Sequence, residues 1–227
     1  VQAEVCSVLV TGLRAIVPLL SKELLRSYPA TCDRYFSYVT FIINSYMENL
    51  DVALNGDKGV NNDDKTNFFV TLMQHLLWGA GAVDPTAARL AFKSIQALAD
   101  YYFTGLRGNG NARIGLGPGD SIGPAAATAI FPTAISRLLE MIFFPATCEY
   151  GIATDRIDAC GNALITLVAL DGNQFMQCAH TIVTQYAQHH PAAEEPLFKC
   201  FEKLTRDRGV NMGAIDKRNR MTFCLNF

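Results

Sequence analysis

No C-x-x-C pair occurs among the seven cysteines, at positions 6, 32, 148, 160, 178, 200 and 224, so a dithiol redox motif and a zinc finger or ribbon are excluded. An odd cysteine count with no Asn-x-Ser/Thr acceptor argues for a reducing compartment. Charge of either sign is sparse: 19 Lys and Arg against 21 Asp and Glu leave −2, with 18% of the 227 residues charged. That excludes a polybasic nucleic-acid arm and a highly charged disordered tail. The longest stretches without Asp, Glu, Lys or Arg, 66–83 and 172–193, carry Asn67, Gln74, His75, Gln174, Gln177, His180 and His189, so no membrane span is expected. No basic-then-apolar leader follows Val1, so no secretory signal is read, and the segment reads as part of something longer. Alternating strand patterns are absent as well. What is abundant is apolar residues, 50% of the chain, enough for an extensive core.

Those apolar residues recur at helical spacing. Val5, Val8, Leu9, Gly12, Leu13, Ile16, Leu20 and Leu24 mark one face of a first helix and Ser7, Thr11, Arg14 and Lys22 the other, with a kink predicted at Pro18. Pro29 suits the first turn of a second helix, in which Phe36, Val39, Ile43, Tyr46 and Met47 stand opposite Arg34, Ser37, Ser45 and Glu48. The polar run from Asn55 to Asp64 reads as a loop. A helix over 64–82 then meets Asp84-Pro85, a capping residue followed by proline at the first helical position, and the next helix covers about 85–104. Its polar stripe of Arg89, Lys93, Gln96 and Asp100, at spacings of 4, 3 and 4, lies on one face. Further helices are predicted at 122–144, bent at Pro132, then at 153–170 and 172–189 about the turn Asp171-Gly172, and at 193–206 and 215–226. The fold class is all-α. Helices joined mostly by short turns, at a loose period of about 40–60 residues, predict an α-solenoid of stacked antiparallel helix pairs, a HEAT/ARM-like superhelix. The pairs fall at 3–48, 64–105, 122–170 and 172–206, with a terminal helix at 215–226. A single closed helical bundle is the competing architecture.

Groups that carry chemistry are poorly arranged for it. The glycine-rich stretch from Arg107 to Asp120 places Asp120 or Ile122 where the third glycine of a dinucleotide loop belongs, and Leu116 where a phosphate-binding loop needs lysine. It reads as a linker between helices. His189 and His190, near His180, Glu194 and Glu195, precede Pro191, which ends the helix and removes the i, i+4 geometry a metal pair needs. They read instead as last-turn partners of the helix dipole, and His75 as a packed histidine beside Trp78. Cys160 falls on the apolar face with Ile157, Leu164 and Leu167. Asp155 and Asp158 stand in a first helical turn as dipole partners. Residues 199–220 hold seven cations against three acids, a local +4, without the interleaved aromatics of a nucleic-acid platform. No catalytic, metal or cofactor-binding residue is assigned, and no cofactor, direct nucleic-acid contact or enzymatic activity is expected.

Two segments resemble a known family. Tyr28-Pro29-Ala30-Thr31-Cys32-Asp33-Arg34-Tyr35-Phe36 through Phe41 is similar to the second-helix pattern of exportins, where a proline and a cysteine precede Tyr-Phe and a run of core residues. The tail, Pro196-Leu197-Phe198-Lys199-Cys200-Phe201-Glu202-Lys203-Leu204-Thr205 and then Ile215-Asp216-Lys217-Arg218-Asn219-Arg220-Met221-Thr222-Phe223, resembles the C-terminal end of the same family, within the karyopherin superfamily. Ala163 to Val168 and Gln174-Phe175 fit the same register. The resemblance implies the last repeats of a nuclear transport receptor, which shuttles between nucleus and cytoplasm through the pore and its nucleoporins. It also implies binding to Ran-GTP, mainly through repeats outside this segment, and to protein cargo such as the hypusine-bearing translation factor. Polar stripes of the second helices are then the candidate protein-binding surface: Arg34, Arg89, Lys93, Gln96, Asp100, Asp155 and Asp158. A solenoid scaffold with no transport role is the alternative.

Overall fold

Prolines and capping side chains divide the first half of the chain into helices. The computed structural model describes residues 2–56, 62–82, 84–107, 123–144 and 156–206. Helix α1 (Gln2–Ile16) does not kink at Pro18 but ends before it, in a 3-10 turn over Val17–Leu19. Proline has no N–H to continue the ladder and its ring crowds the carbonyl four residues back. The Ser21 hydroxyl then accepts the Leu24 N–H at 3.2 Å and caps the short α2 (Lys22–Ser27). Pro29 is the first residue of α3 (Pro29–Gly56), which continues past residue 48, where the first pair is predicted to end, and takes in Asn55 and Gly56 of the predicted loop; its backbone leaves helical geometry at Tyr46 (φ −137°, ψ 24°). After α4 (Asn62–Ala80), Asp84 Oδ1 accepts the Thr86 N–H at 2.9 Å and α5 (Pro85–Arg107) begins at the proline, as the capping signal predicts. Next come α6 (Gly123–Phe143), which runs on through Pro132, α7 (Ile157–Leu170), α8 (Gly172–Ala187), a 3-10 turn over Pro191–Ala193, and α9 (Glu194–Arg206). Asp171 caps α8 by accepting the Gln174 N–H at 2.9 Å. No strand occurs among the described residues, whose regular structure is all helical. The predicted terminal helix at 215–226 and the glycine-rich segment at 108–120 lie outside the described residues.

The chain forms two compact units, Val1–Ile130 and Phe131–Phe227. In the first, α3 packs on α1, α2 and α5, and α4 packs on α5 and on the turn after α1. The core joins Phe36, Val39 and Ile43 of α3 to Leu72 and Leu76 of α4 and to Phe92 and Ile95 of α5, all but completely buried. On α1 and the turn after it the buried residues are Cys6, Val10, Leu13 and Val17; of the face read from sequence Leu13 is buried, whereas Val5, Val8 and Ile16 are exposed. This helix has two apolar stripes about 130° apart, and the one through Cys6, Val10 and Leu13 is the one buried where α1 packs on α3.

In the second unit α7 is enclosed on nearly all sides, with Ala163 to Ala169 consecutively buried, and packs on α8. A helix apolar on every face can only sit inside. Phe201 of α9 packs against Phe175 of α8 (ring centroids 5.7 Å) and Phe143 of α6 (5.9 Å), and Phe143 meets Tyr186 edge-on at 5.6 Å. Ile157, predicted to be buried with Cys160, is 36% exposed at the start of α7, where the helix has not yet entered this core.

Candidate interaction face

The two helices that carry most of the predicted site residues meet at a pair of buried hydroxyls. Thr40 Oγ1 of α3 lies 2.6 Å from the Phe36 carbonyl, 2.9 Å from Ser94 Oγ of α5 and 3.2 Å from the Leu90 carbonyl. One hydroxyl proton serves one carbonyl; it is best placed for Phe36, and Ser94 then donates to Thr40. Small hydroxyl residues here let the two helix backbones approach closely. Near the other end of the seam, Asp84 is close enough to Cys32 for its charge to act on the thiol, which burial first, then Asp84 and Asp33, push up to about 11. Phe36, near the beginning of α3, meets Trp78 and Gly79 at the end of α4, seven and six residues before α5 begins, whereas further along both helices Thr40 meets Ser94. The two helices therefore run in the same direction.

Parallel alignment fixes where the polar stripes point. At 100° per residue, Arg34, Ser37 and Phe41 lie about 60–120° from Thr40 in one rotational sense. Arg89, Lys93, Gln96 and Asp100 lie about 100–160° from Ser94 in the opposite sense. For two parallel helices those faces open on the same side. The other side of the layer is covered by α4: the Tyr35 hydroxyl bonds His75 Nδ1 at 2.7 Å, and Phe36 stacks on Trp78 at 6.3 Å. A Cβ on Gly79 would collide with the Phe36 ring, so only glycine allows α4 this close.

Of the predicted residues, the structure gathers five on this face. Arg34, Arg89 and Lys93 are exposed, while Gln96 and Asp100 are half-buried, with Gln96 Nε2 3.4 Å from Asp100 Oδ2. Asp158 is exposed in the first turn of α7, where its carbonyl accepts the Asn162 amide at 2.9 Å; it belongs to the second unit. Asp155 lies outside the described residues. Phe41, which sequence places in an apolar run, is 49% exposed at the centre of the α3 part of the face, its ring edge-on to Tyr46 at 5.5 Å. The signal was present in spacing, since Phe41 follows Arg34 and Ser37 at i+7 and i+4.

The remaining groups have structural partners. His75 is buried in the core as expected, and burial, with Lys22 adding, holds its pKa below the ordinary histidine value. Burial raises the Tyr35 hydroxyl. Its partnership with His75, forty residues away, has no sequence signal. The Cys178 thiol faces the Pro132 carbonyl at 3.9 Å, and burial raises its pKa. His189 and His190 lie just past α8, exposed, with His190 against the Tyr186 ring at 4.6 Å. His180 packs on Phe198 at 4.8 Å, beside a shallow groove lined by Met176, Gln177, Thr181 and Glu202. Lys199, at the start of the basic stretch, pairs with Glu195 at 2.6 Å. Among the described residues no cluster of three or more His, Cys, Asp or Glu is placed to hold a metal ion, and no helix is long and apolar enough to cross a membrane. No family model matches the chain, and no solved structure matches it.

Proposed function

We propose that this chain is a run of stacked antiparallel helix pairs from a nuclear transport receptor of exportin type, similar in its tail to exportin 4, and that the α3–α5 face contributes to reversible binding of protein cargo with Ran-GTP. The observation that carries this reading is the parallel α3–α5 layer with its polar faces on one side and α4 on the other. Two consecutive helix pairs of a solenoid pack in this way: second helix on second helix, each covered by its own first helix. The outer stripe of α1 points the same way. Val8 and Leu19 are 72% and 76% exposed and align with Val5 and Ile16, the surface a first helix offers to a neighbouring pair. Arg34, Arg89, Lys93, Gln96 and Asp100, together with Asp155 and Asp158 of the following pairs, are the side chains assigned to partner contact. Such charges act on specificity and association rate more than on raw affinity.

The test is capture of Ran, locked with GTP or with GDP, and of the hypusine-bearing translation factor by the full-length receptor. Retention of both that depends on the GTP form is the expected result. Binding indifferent to nucleotide would replace this reading with that of a solenoid scaffold without a transport role.

A further inference from the structure

Three cations on the α3–α5 face, Arg34, Arg89 and Lys93, are exposed and make no ion pair among the described residues. The acids Asp33, Asp84 and Asp100 stand on or next to the same two helices, and none forms an ion pair with these cations: Asp84 caps α5, Asp33 has one buried oxygen without a hydrogen-bond partner, and Asp100, bound to Gln96, stands two turns beyond Lys93 toward the other end of α5. Because α3 and α5 run in parallel, their N-terminal ends, each with a partial positive charge, lie at the same end of the face as Arg34 and Arg89. Phe41 adjoins Thr40, whose hydroxyl reaches Leu90 and Ser94, so its exposed ring is level with Lys93. The face thus presents three exposed cations without ion-pair partners among the described residues, clustered toward the N-terminal ends of α3 and α5, with one large exposed apolar ring beside them.

We propose that this face takes an acidic segment of a protein partner in which one aromatic or large aliphatic side chain is set among carboxylates, the carboxylates meeting Arg34, Arg89 and Lys93 and the apolar side chain covering Phe41. Charge complementarity selects this occupant. Arginine offers two parallel donors that match a carboxylate, and the half-exposed ring supplies apolar area that a purely ionic ligand would leave wet. A nucleic acid is the poorer match, because a phosphate backbone needs a longer row of cations and further aromatic platforms for its bases. The proposal rests on the reading of the α3–α5 layer as a partner-binding face, and adds which chemistry it selects.

Fluorescence anisotropy on the intact chain tests it with a glutamate-rich dodecapeptide bearing one central Phe, the same peptide with Ala at that position, a lysine-rich counterpart and a labelled oligo-dT. Expected is saturable binding of the acidic Phe peptide, weakened at least tenfold between 50 and 300 mM salt and at least tenfold by the pair R89E/K93E. Phe41→Ala should weaken the Phe peptide several-fold and the Ala peptide little. All these side chains are exposed, so the variants should keep the parent far-UV circular dichroism; capture of the lysine-rich peptide by R34E/R89E/K93E would support the site without relying on loss of signal. Absence of acidic-peptide binding, binding unaffected by R89E/K93E, or tighter binding of oligo-dT would overturn the proposal. Nucleotide-dependent capture of Ran by the full-length receptor can stand while this peptide assay fails, so the two failures are distinguishable.

Discussion

Replacing Gly79 by Ala puts a methyl group where the ring of Phe36 already stands. Phe36 has no exposed surface, stacks on Trp78 at 6.3 Å and meets Tyr35 edge-on at 5.1 Å, so the ring cannot swing clear. Forcing an extra carbon into such packing costs about 1–3 kcal/mol. Alanine recovers part of this, because it is favoured over glycine in a helix interior by about 1 kcal/mol, less at a penultimate position. The net expectation is a loss of about 1–2 kcal/mol, which in urea lowers the midpoint by about 0.5–1 M at an unchanged slope. Gly79→Ala combined with Phe36→Leu should lose less than the sum of the two single changes, since the smaller side chain vacates the space. A Gly79→Ala protein with a raised urea midpoint would refute the close α3–α4 contact.

The buried His75 makes stability depend on pH. Burial holds its folded-state pKa below the ordinary histidine value of 6.5, so below that pH the unfolded chain binds more protons. Its contribution should be complete above 6.5, fall as pH drops toward the folded-state value, and vanish in His75→Gln, as read from urea midpoints between pH 7.5 and 5. Ser94→Leu forces a larger side chain between α3 and α5 and should cost about 1–3 kcal/mol, whereas Ser94→Ala costs about 1 kcal/mol, measured in the same way. Alkylation of the native protein followed by peptide mapping should label Cys200, which is exposed, well before the buried Cys6, Cys32 and Cys160. Fast labelling of Cys32 would contradict its burial and its raised pKa.

Much of the candidate face was legible in sequence because α5 is unambiguous. Asp84-Pro85 fixes its start, and Arg89, Lys93, Gln96 and Asp100 repeat at a helical interval with Leu90, Phe92, Ile95 and Leu98 on the remaining surface. Arg34 was legible for the same reason, opposite Phe36, Val39 and Ile43. The orientation of α1 was not. Two stripes compete there, and amphipathic spacing identifies apolar faces without saying which one a neighbour covers; that depends on α3, which shares no local signal with it. The end of α3 was misplaced because composition weighs only local propensity: the helix runs to Gly56, past the predicted end of the first pair at 48 and into the start of the run read as a loop from Asn55. Phe41 was misread as core because its neighbours Thr40 and Ile42 are buried, and only its helical phase distinguishes it.

The parallel course of α3 and α5, on which the shared polar face depends, is most directly measured by pulsed dipolar spectroscopy with spin labels at positions 34 and 89 and, separately, at 34 and 100, the accessible native thiols being replaced by serine. Positions 89 and 100 are about 16 Å apart along the helix. Parallel helices make the 34–100 distance the longer of the two, because Arg34 lies near the beginning of α3. A 34–100 distance shorter than that of 34–89 would mean antiparallel helices, with the two polar stripes on opposite sides and no common face.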